Sequence, residues 1–514
     1  MKSGDEFYRL IYEYYEARIR CGFYVRGDRL PSIQKICGIF RMAPATVRAG
    51  LRILEKNGYI KMDARRAALV VYEAESADFR RNAAAYFVPR REGIRDLIQA
   101  QKLLIEPLWQ AGLRCWSKAE WEVLLQGLSD PGPGAVSMPV QLYMFALKAL
   151  NNGLIINCYW EVIRYIRYPY LTNREERQRP ALNLPGTSRD EIIDLLRREL
   201  ERITAVAAGQ LYAFMEQAAA EYHMENVKPV HFQCNIYSRR PQLRYTLASR
   251  LIREMLDQTY PAGSYLPSLP QLAGTYGVGV NTVRRTLELL SRLGLVRSRH
   301  GKGTLVCEQP GEMDLESPEI RDGFRLYRES LQFLALTIRP VALCALESAA
   351  PEAAAELKRR LSCLKGEERC LCLERILDFI VVQCPSMFVR ECYGMVRQLA
   401  AWGYPLELQR RKNGAGSGSG PGLHNNLDNG SGPVRGSDPG PGRGPGAGNG
   451  SDPGPGRGPG AGNGSGPGPG SVPGPDGVPS PAKLLAQCLE EGSAEGFVEE
   501  CERFLRQEEA RYIR

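Results

Sequence analysis

Histidine is scarce: the chain of 514 residues holds four, at 223, 231, 300 and 424. Fourteen cysteines stand singly, apart from Cys370-x-Cys372. No zinc-type spacing can be assembled from these, so no metal centre and no cofactor are expected. Scattered thiols fit a reduced, cytoplasmic chain with cysteines packed in its core. No apolar run reaches the length of about 18 residues that a membrane helix needs, so no membrane contact is expected. The opening stretch MKSGDEFYRLIYEYYEARIR is charged throughout and has no apolar core of a secretory signal. Period-two alternation is almost missing, which argues against a large sheet. No glycine-rich phosphate loop follows a strand, and no Ser/His/Asp or paired-carboxylate set stands out. The chain therefore does not read as an enzyme.

Positive charge is plentiful but uneven. The net charge is +9. Residues 1–75 carry 14 basic and 9 acidic side chains, and residues 239–309 carry 11 and 4. Those two blocks hold +5 and +7, so the remainder is slightly acidic. Charge concentrated in compact blocks is the footprint of a chain that touches phosphate.

The second block contains LPSLPQLAGTYGVGVNTVRRTLELLSRLGLVRSRHGKGTLV, Leu266–Val306. Leu269, Leu272 and Ala273 make one short apolar helical face, and Gly277 is placed to turn the chain out of it. A second helix starts at Gly279 or Asn281, with Val283, Leu287 and Leu290 on its buried side. Gly294 ends that helix. Two β-prone segments, Leu295–Arg297 and Thr304–Cys307, flank the tip His300-Gly301-Lys302-Gly303. A basic helix after a turn, then a basic hairpin, suits a major groove and its neighbouring backbone.

The same pattern occurs earlier. Leu30-Pro31-Ser32 and Thr46-Val47-Arg48 precede Leu266-Pro267-Ser268 and Thr282-Val283-Arg284 by 236 residues each. A constant offset without gaps reads as a duplicated domain. The run Leu-Pro-Ser, Leu272-Ala273, Thr-Val-Arg, Gly294-Leu295 and His300-Gly301-Lys302-Gly303-Thr304 resembles the DNA-binding domain of GntR-family bacterial transcription regulators. The first copy departs from it at the wing, where Asp63-Ala64-Arg65-Arg66-Ala67-Ala68 replaces the glycine-rich tip. Pro44 and Val280 stand where the family often has an arginine, as do Gln34 and Pro270. The relatives' operator is therefore not carried over.

Residues 78–235 read as helical, with amphipathic stretches at Ile94–Ala111, Lys118–Gly127, Val140–Asn151, Leu154–Ile166 and Asp190–His223. Ile105-Glu106-Pro107-Leu108 pairs with Ile338-Arg339-Pro340-Val341, and Cys158-Tyr159 with Cys392-Tyr393. This unit is similar to the helical effector domain of the FadR-type branch. That resemblance implies a small organic-acid effector and, in the branch, a metal held by an Asp-x-x-Phe-His helix. Here Phe145 and Phe379 remain, but Leu142, Ile376, Ala146 and Ile380 replace the ligands, so the metal site is expected to be lost. His223 reads as a solvent-facing residue.

Residues 413–482 hold 25 of the 53 glycines and 14 of the 35 prolines, a composition that cannot bury a core. Their 14-residue unit Ser437–Gly450 recurs at Ser451–Gly464, and without a strict Gly-X-Y period the segment reads as a spacer. Residues 483–514 are again amphipathic and too short to stand alone, so they should dock.

The expected fold is mainly α: two winged helix-turn-helix domains (1–75 and 239–309), each followed by an all-helical bundle (78–235; 315–411 completed by 483–514), with a disordered Gly/Pro-rich insertion. The expected partner is a double-stranded DNA operator, bound by a monomeric pseudo-dimer or a homodimer. Candidate contacts are Ser32, Thr46, Arg48, Arg65 and Arg66 in the first head. In the second they are Ser268, Asn281, Thr282, Arg284, Arg285, His300, Gly301 and Lys302. A degenerate regulator that binds protein or a metabolite instead is the competing reading.

Overall fold

A computed structural model describes residues 7–40, 42–63, 66–129, 143, 146–167, 188–234, 242–309, 311–364, 368–414 and 479–513. Met1–Ser417 and Ser480–Ile513 form one compact unit. The chain opens with α1 (Phe7–Arg20), α2 (Ile33–Phe40) and α3 (Pro44–Lys56), then a hairpin of β1 (Ile60–Lys61) and β2 (Leu69–Val70). Helices α4 (Ser76–Phe87), α5 (Arg91–Arg114), α6 (Lys118–Ser129), α7 (Gly153–Ile166) and α8 (Arg189–Glu221) follow.

The order then recurs: α9 (Gln242–Leu256), α10 (Leu269–Tyr276), α11 (Val280–Arg292) and a hairpin of β3 (Val296–Arg299) and β4 (Gly303–Val306). After it come α12 (Pro318–Ser348), α13 (Pro351–Ser362), α14 (Arg369–Gln383), α15 (Met387–Ala400), α16 (Gly403–Gly414), α17 (Pro481–Glu490) and α18 (Ala494–Ile513). The stretch Asp190–His223 forms a single helix, begun by a Ser188/Glu191 capping box. Part of the helix expected over Val140–Asn151, including Leu142 and Phe145, lies outside the described residues, as does nearly all of 413–482.

The two small α/β segments share one framework. Ile60 pairs with Val70 and Lys61 with Leu69; 236 residues on, Val296 pairs with Val306 and Arg297 with Leu305. A third chain segment adds a single bridge to each hairpin, Arg29 to Leu69 and Tyr265 to Leu305. Even the turn bonds repeat: Gly27 N–H donates to the Val70 carbonyl and Gly263 N–H to the Val306 carbonyl, both at 3.0 Å. Val47, Leu51 and Leu54 fill the first core where Val283, Leu287 and Leu290 fill the second. Each such side chain contributes about 1.5–3 kcal/mol when buried.

The helical stretches meet chiefly through α5 and α12. α5 packs on α12, α5 also packs on α15, and α12 packs on α7. Pro107 lies inside α5 and Pro340 inside α12, at matching places in the two central helices. The helix starts are capped reciprocally. Leu154 N–H donates to Glu329 Oε2 at 3.0 Å, and Phe388 N–H donates to Asp96 Oδ2 at 2.7 Å. Asn152 and Ser386 cap the same two helices through their own side chains. An N-terminal N–H has no partner inside its own helix, so a carboxylate from the opposite half satisfies it and favours the dipole.

The final pair, α17 and α18, packs on α13 and α12. Leu485, Phe497, Val498, Cys501, Phe504 and Leu505 are each no more than 1% exposed there. The 31-residue α12 is long and apolar enough to cross a membrane by length and composition. That departs from the expectation drawn from unbroken apolar runs. In this fold α12 is the central helix, packed by α5, α7, α14, α15 and α18.

Candidate nucleic-acid interface

Helix α10 begins at Pro-rich Leu269-Pro270, where the fixed φ of proline suits a first turn. The Gln271 side chain accepts from the Ser268 N–H at 2.9 Å and from the Ser268 hydroxyl at 2.7 Å. Ser268 thus serves the helix start while remaining exposed. Ser32 does similar work, accepting from Lys35 N–H at 3.2 Å. Gly277 closes α10 with φ +63, a left-handed conformation that glycine adopts without strain. The turn delivers α11, whose N-cap is Gly279.

On α11 the apolar side faces inward and the polar side outward. Val283, Thr286 and Leu290 are fully buried, whereas Asn281, Arg284 and Arg285 are exposed. Thr282 is half-buried. Arg284 Nη1 donates to Asn281 Oδ1 at 2.8 Å, which holds the guanidinium along the outer face. Helix α9 packs behind α11, where Thr286 Oγ1 bonds the Arg244 carbonyl at 3.4 Å, and it also holds α10, where the Tyr276 hydroxyl bonds Glu254. Burial and then that carboxylate push the Tyr276 hydroxyl well above the usual phenol range, so it stays a neutral donor.

The wing places three expected residues at its tip: His300, Gly301 and Lys302 are all exposed. Gly301 has φ +71 and Gly303 φ +102, which let the hairpin close over so few residues. Two further cations belong to this face and were missed in the sequence. Arg297 and Arg299 are exposed on β3, two residues apart and hence on one side of the strand. The alternation Arg-Ser-Arg was the available signal.

In the first head, Thr46 is half-buried and Arg48 exposed on α3, in the same positions as Thr282 and Arg284. Arg66 is exposed near the hairpin. Arg65 lies outside the described residues. Ala45 stands where Asn281 stands in the second head, so Arg48 has no matching hydrogen bond.

Some exposed arginines on the helical stretches face carboxylates, Arg80 with Glu221 at 3.0 Å, Arg95 with Glu216 at 2.7 Å and Arg506 with Glu502 at 2.7 Å, while Arg321 and Arg328 are exposed without one among the described residues. Arg48, Arg66, Arg285, Arg297, Arg299 and Lys302 have no acidic partner among the described residues. Arg284 bonds only a neutral amide oxygen. Cations left unneutralised along one helix and one hairpin can exchange condensed counterions for phosphates.

The helical stretches offer less. Ile376 and Ile380 are buried on α14, and Ala146 is buried too, where a carboxylate or imidazole would have to stand to hold a metal. His223 is an exposed residue with φ +54 just past α8. A recess lined by Gln101, Glu106, Trp109, Tyr143 and Arg197 opens beside α5. Its guanidinium is already engaged by Asp194 at 2.7 Å and Glu201 at 3.2 Å. Three cysteines far apart in the chain, Cys158, Cys234 and Cys392, come together in the core, contrary to the reading of scattered thiols.

The profile of the family described as bacterial regulatory proteins, gntR family, matches residues 243–306. The chain is similar to the probable transcriptional regulator PhnF of Escherichia coli (strain K12), 35% identical over 74 residues, 14% of this chain and 31% of that protein. It is similar to the uncharacterized HTH-type transcriptional regulator YhcF of Bacillus subtilis (strain 168), 31% identical over 86 residues, 17% of this chain and 66% of that one. The chain thus spans about a third of the length of the first and about two thirds of the second. Among solved structures, Streptococcus agalactiae GntR aligns with 52% of this chain and 99% of its own at 12% identity, with a TM-score of 0.20.

Proposed function

Residues 243–306 being a GntR-family helix-turn-helix segment, we propose that the whole chain is a DNA-binding transcription regulator with two unequal heads. Its domains are two winged-helix heads at 1–75 and 239–309, and two helical bodies of the FadR type. The first body is 78–235. The second is 315–411, completed by 483–514 after the spacer 413–482. The chain is a tandem duplication that acts as a fused pseudo-dimer. An ordinary regulator of this kind uses two identical subunits to read a pseudo-palindrome. Here the second subunit is covalently attached, so the half-sites need not match.

The observation that carries this reading is the row of exposed cations without acidic partners on α11, β3 and the hairpin tip of a segment that matches the family's DNA-binding region. The reciprocal caps from Asp96 and Glu329 support the pseudo-dimer. Such an exchange is what an isologous interface produces. Ser32, Thr46, Arg48, Arg65 and Arg66 serve the first head. Ser268, Asn281, Thr282, Arg284, Arg285, His300, Gly301 and Lys302 serve the second, joined by Arg297 and Arg299. A small organic acid could act as effector only through a group other than Arg197, whose charge is already met.

Selection of binding sites from random duplexes with the full chain tests the proposal. The expected product is a bipartite site with two different half-sites, bound at one chain per duplex and released steeply by salt. A chain that enriches no sequence and shows no salt-dependent retention would instead be the degenerate protein- or metabolite-binding module.

A further inference from the structure

Three thiols meet where the two helical halves join. Cys158 on α7 and Cys392 on α15 occupy equivalent positions, and their Sγ atoms lie 3.6 Å apart. Each sulfur therefore faces its own counterpart. The third, Cys234, comes from the irregular segment after α8 that leads toward α9. All three Sγ atoms lie within 4.8 Å of one another, and the three residues are 4%, 4% and 1% exposed. Cys234 breaks the symmetry: it is a single residue brought to a matched pair.

We propose that Cys158, Cys234 and Cys392 form a three-thiolate site for a soft monovalent metal ion, Cu(I). Thiolates select soft ions over the hard cations that carboxylates hold. A metal–sulfur bond of about 2.3 Å in a trigonal arrangement sets the sulfurs about 4 Å apart, which is the scale of this cluster. Among the described residues no histidine or carboxylate oxygen belongs to the group. Structural zinc requires a fourth ligand. An enclosed site with three sulfurs and nothing else matches a three-coordinate ion instead. Two of the ligands sit on helices, and Cys234 sits on chain without regular structure.

The protonation pattern agrees with the geometry. Hydrogen bonds from the Cys234 and Cys392 thiols hold the Cys158 sulfur well below the usual thiol range. The same contact with Cys158 pushes Cys234 up, and burial pushes Cys392 up. Each thiol that binds the ion must give up its proton, so binding releases protons to solvent. The bound ion would join both helical halves to the connector that leads into the second head. This site does not depend on whether the heads bind DNA.

The test uses the reduced full chain under anaerobic conditions, titrated with Cu(I) against a competing copper(I) chelator. About one ion per chain should resist the chelator, with X-ray absorption showing sulfur neighbours only, at about 2.3 Å. Cys234→Ser and Cys158→Ser should each abolish that chelator-resistant ion. Cys115→Ser with Cys363→Ser, which removes two exposed thiols, should leave it intact. Far-UV circular dichroism checks that the variants fold. If Cys158→Ser does not fold, Cys234→Ser decides alone. Equal copper retention by folded Cys234→Ser and the parent chain overturns the site. So does the absence of any chelator-resistant ion, or preferential retention of Zn(II) with nitrogen or oxygen neighbours.

Discussion

The two helix-and-hairpin segments, one ending at Val70 and the other at Val306, differ least in framework and most in the hairpin. Strand pairings, the bridge from the preceding turn and the core triad repeat at one offset, 236 residues apart. The second hairpin continues for four pairs out to Arg299 and Gly303, whereas the first ends after two. Glycine chemistry explains the difference. Gly303 sits at φ +102, a conformation that L side chains rarely adopt. Ala67 occupies that place in the first head and cannot follow the same turn. The two hairpins thus differ in length and in tip composition while the cores beneath them share the same pairings.

The largest effect should separate the two recognition helices. Arg284 is held by Asn281, so its guanidinium loses less freedom on meeting a base edge or phosphate. Arg48 has Ala45 in that position and gains no such orientation. Arg284→Ala should weaken operator binding about tenfold to a hundredfold, the range of one specific arginine contact. Arg48→Ala should cost only a few-fold. Fluorescence anisotropy on the selected duplex reads both. An equal loss from the two substitutions would mean that the heads read DNA alike.

A smaller effect should appear in stability and have the opposite bias. Gly50 lies on α3 where a Cβ would come within 2.6 Å of the Tyr8 carbonyl oxygen and 2.7 Å of Ile11 Cβ. Its counterpart, Thr286, fits a full side chain and bonds the Thr282 carbonyl. Gly50→Ala adds helix propensity of about 1 kcal/mol. The backbone clash should outweigh it, at about 1–3 kcal/mol of overpacking. Thr286→Ala loses one hydrogen bond, about 1 kcal/mol, and regains some propensity, so it should be nearly neutral. Thermal unfolding followed by circular dichroism distinguishes them. A stabilised Gly50→Ala chain would show that α1 and α3 can separate freely.

Legibility followed range along the chain. The turns at Gly277 and Gly294 and the apolar face of α11 were readable, because each is decided by a few neighbouring residues. The blunted first wing was readable for the same reason. The strand cations Arg297 and Arg299 were passed over because four residues carry little alternation. The exchange of caps between Asp96 and Phe388, and between Glu329 and Leu154, joins residues nearly 300 and 180 positions apart. No local pattern marks such partners. The cysteine cluster was hidden likewise: spacing rules look for ligands on one motif, whereas here two halves and a connector each supply one.

The smallest expected effect bears most directly on what remains of the first wing. Each phosphate contact contributes about 0.9 to the slope of log K against log salt, whatever the sequence. Lys302→Ala should lower the slope by about that amount on specific and scrambled duplexes alike, since a lysine at a wing tip meets backbone as a point charge. Arg66→Ala should do the same with little change in the affinity ratio between the two duplexes. A slope that falls for Lys302→Ala but not for Arg66→Ala means the first wing has left the DNA altogether. A changed affinity ratio after Arg66→Ala means the opposite, that it still reads bases. Only an equal fall in slope with an unchanged ratio fits a wing that has lost its glycine tip and kept a phosphate contact.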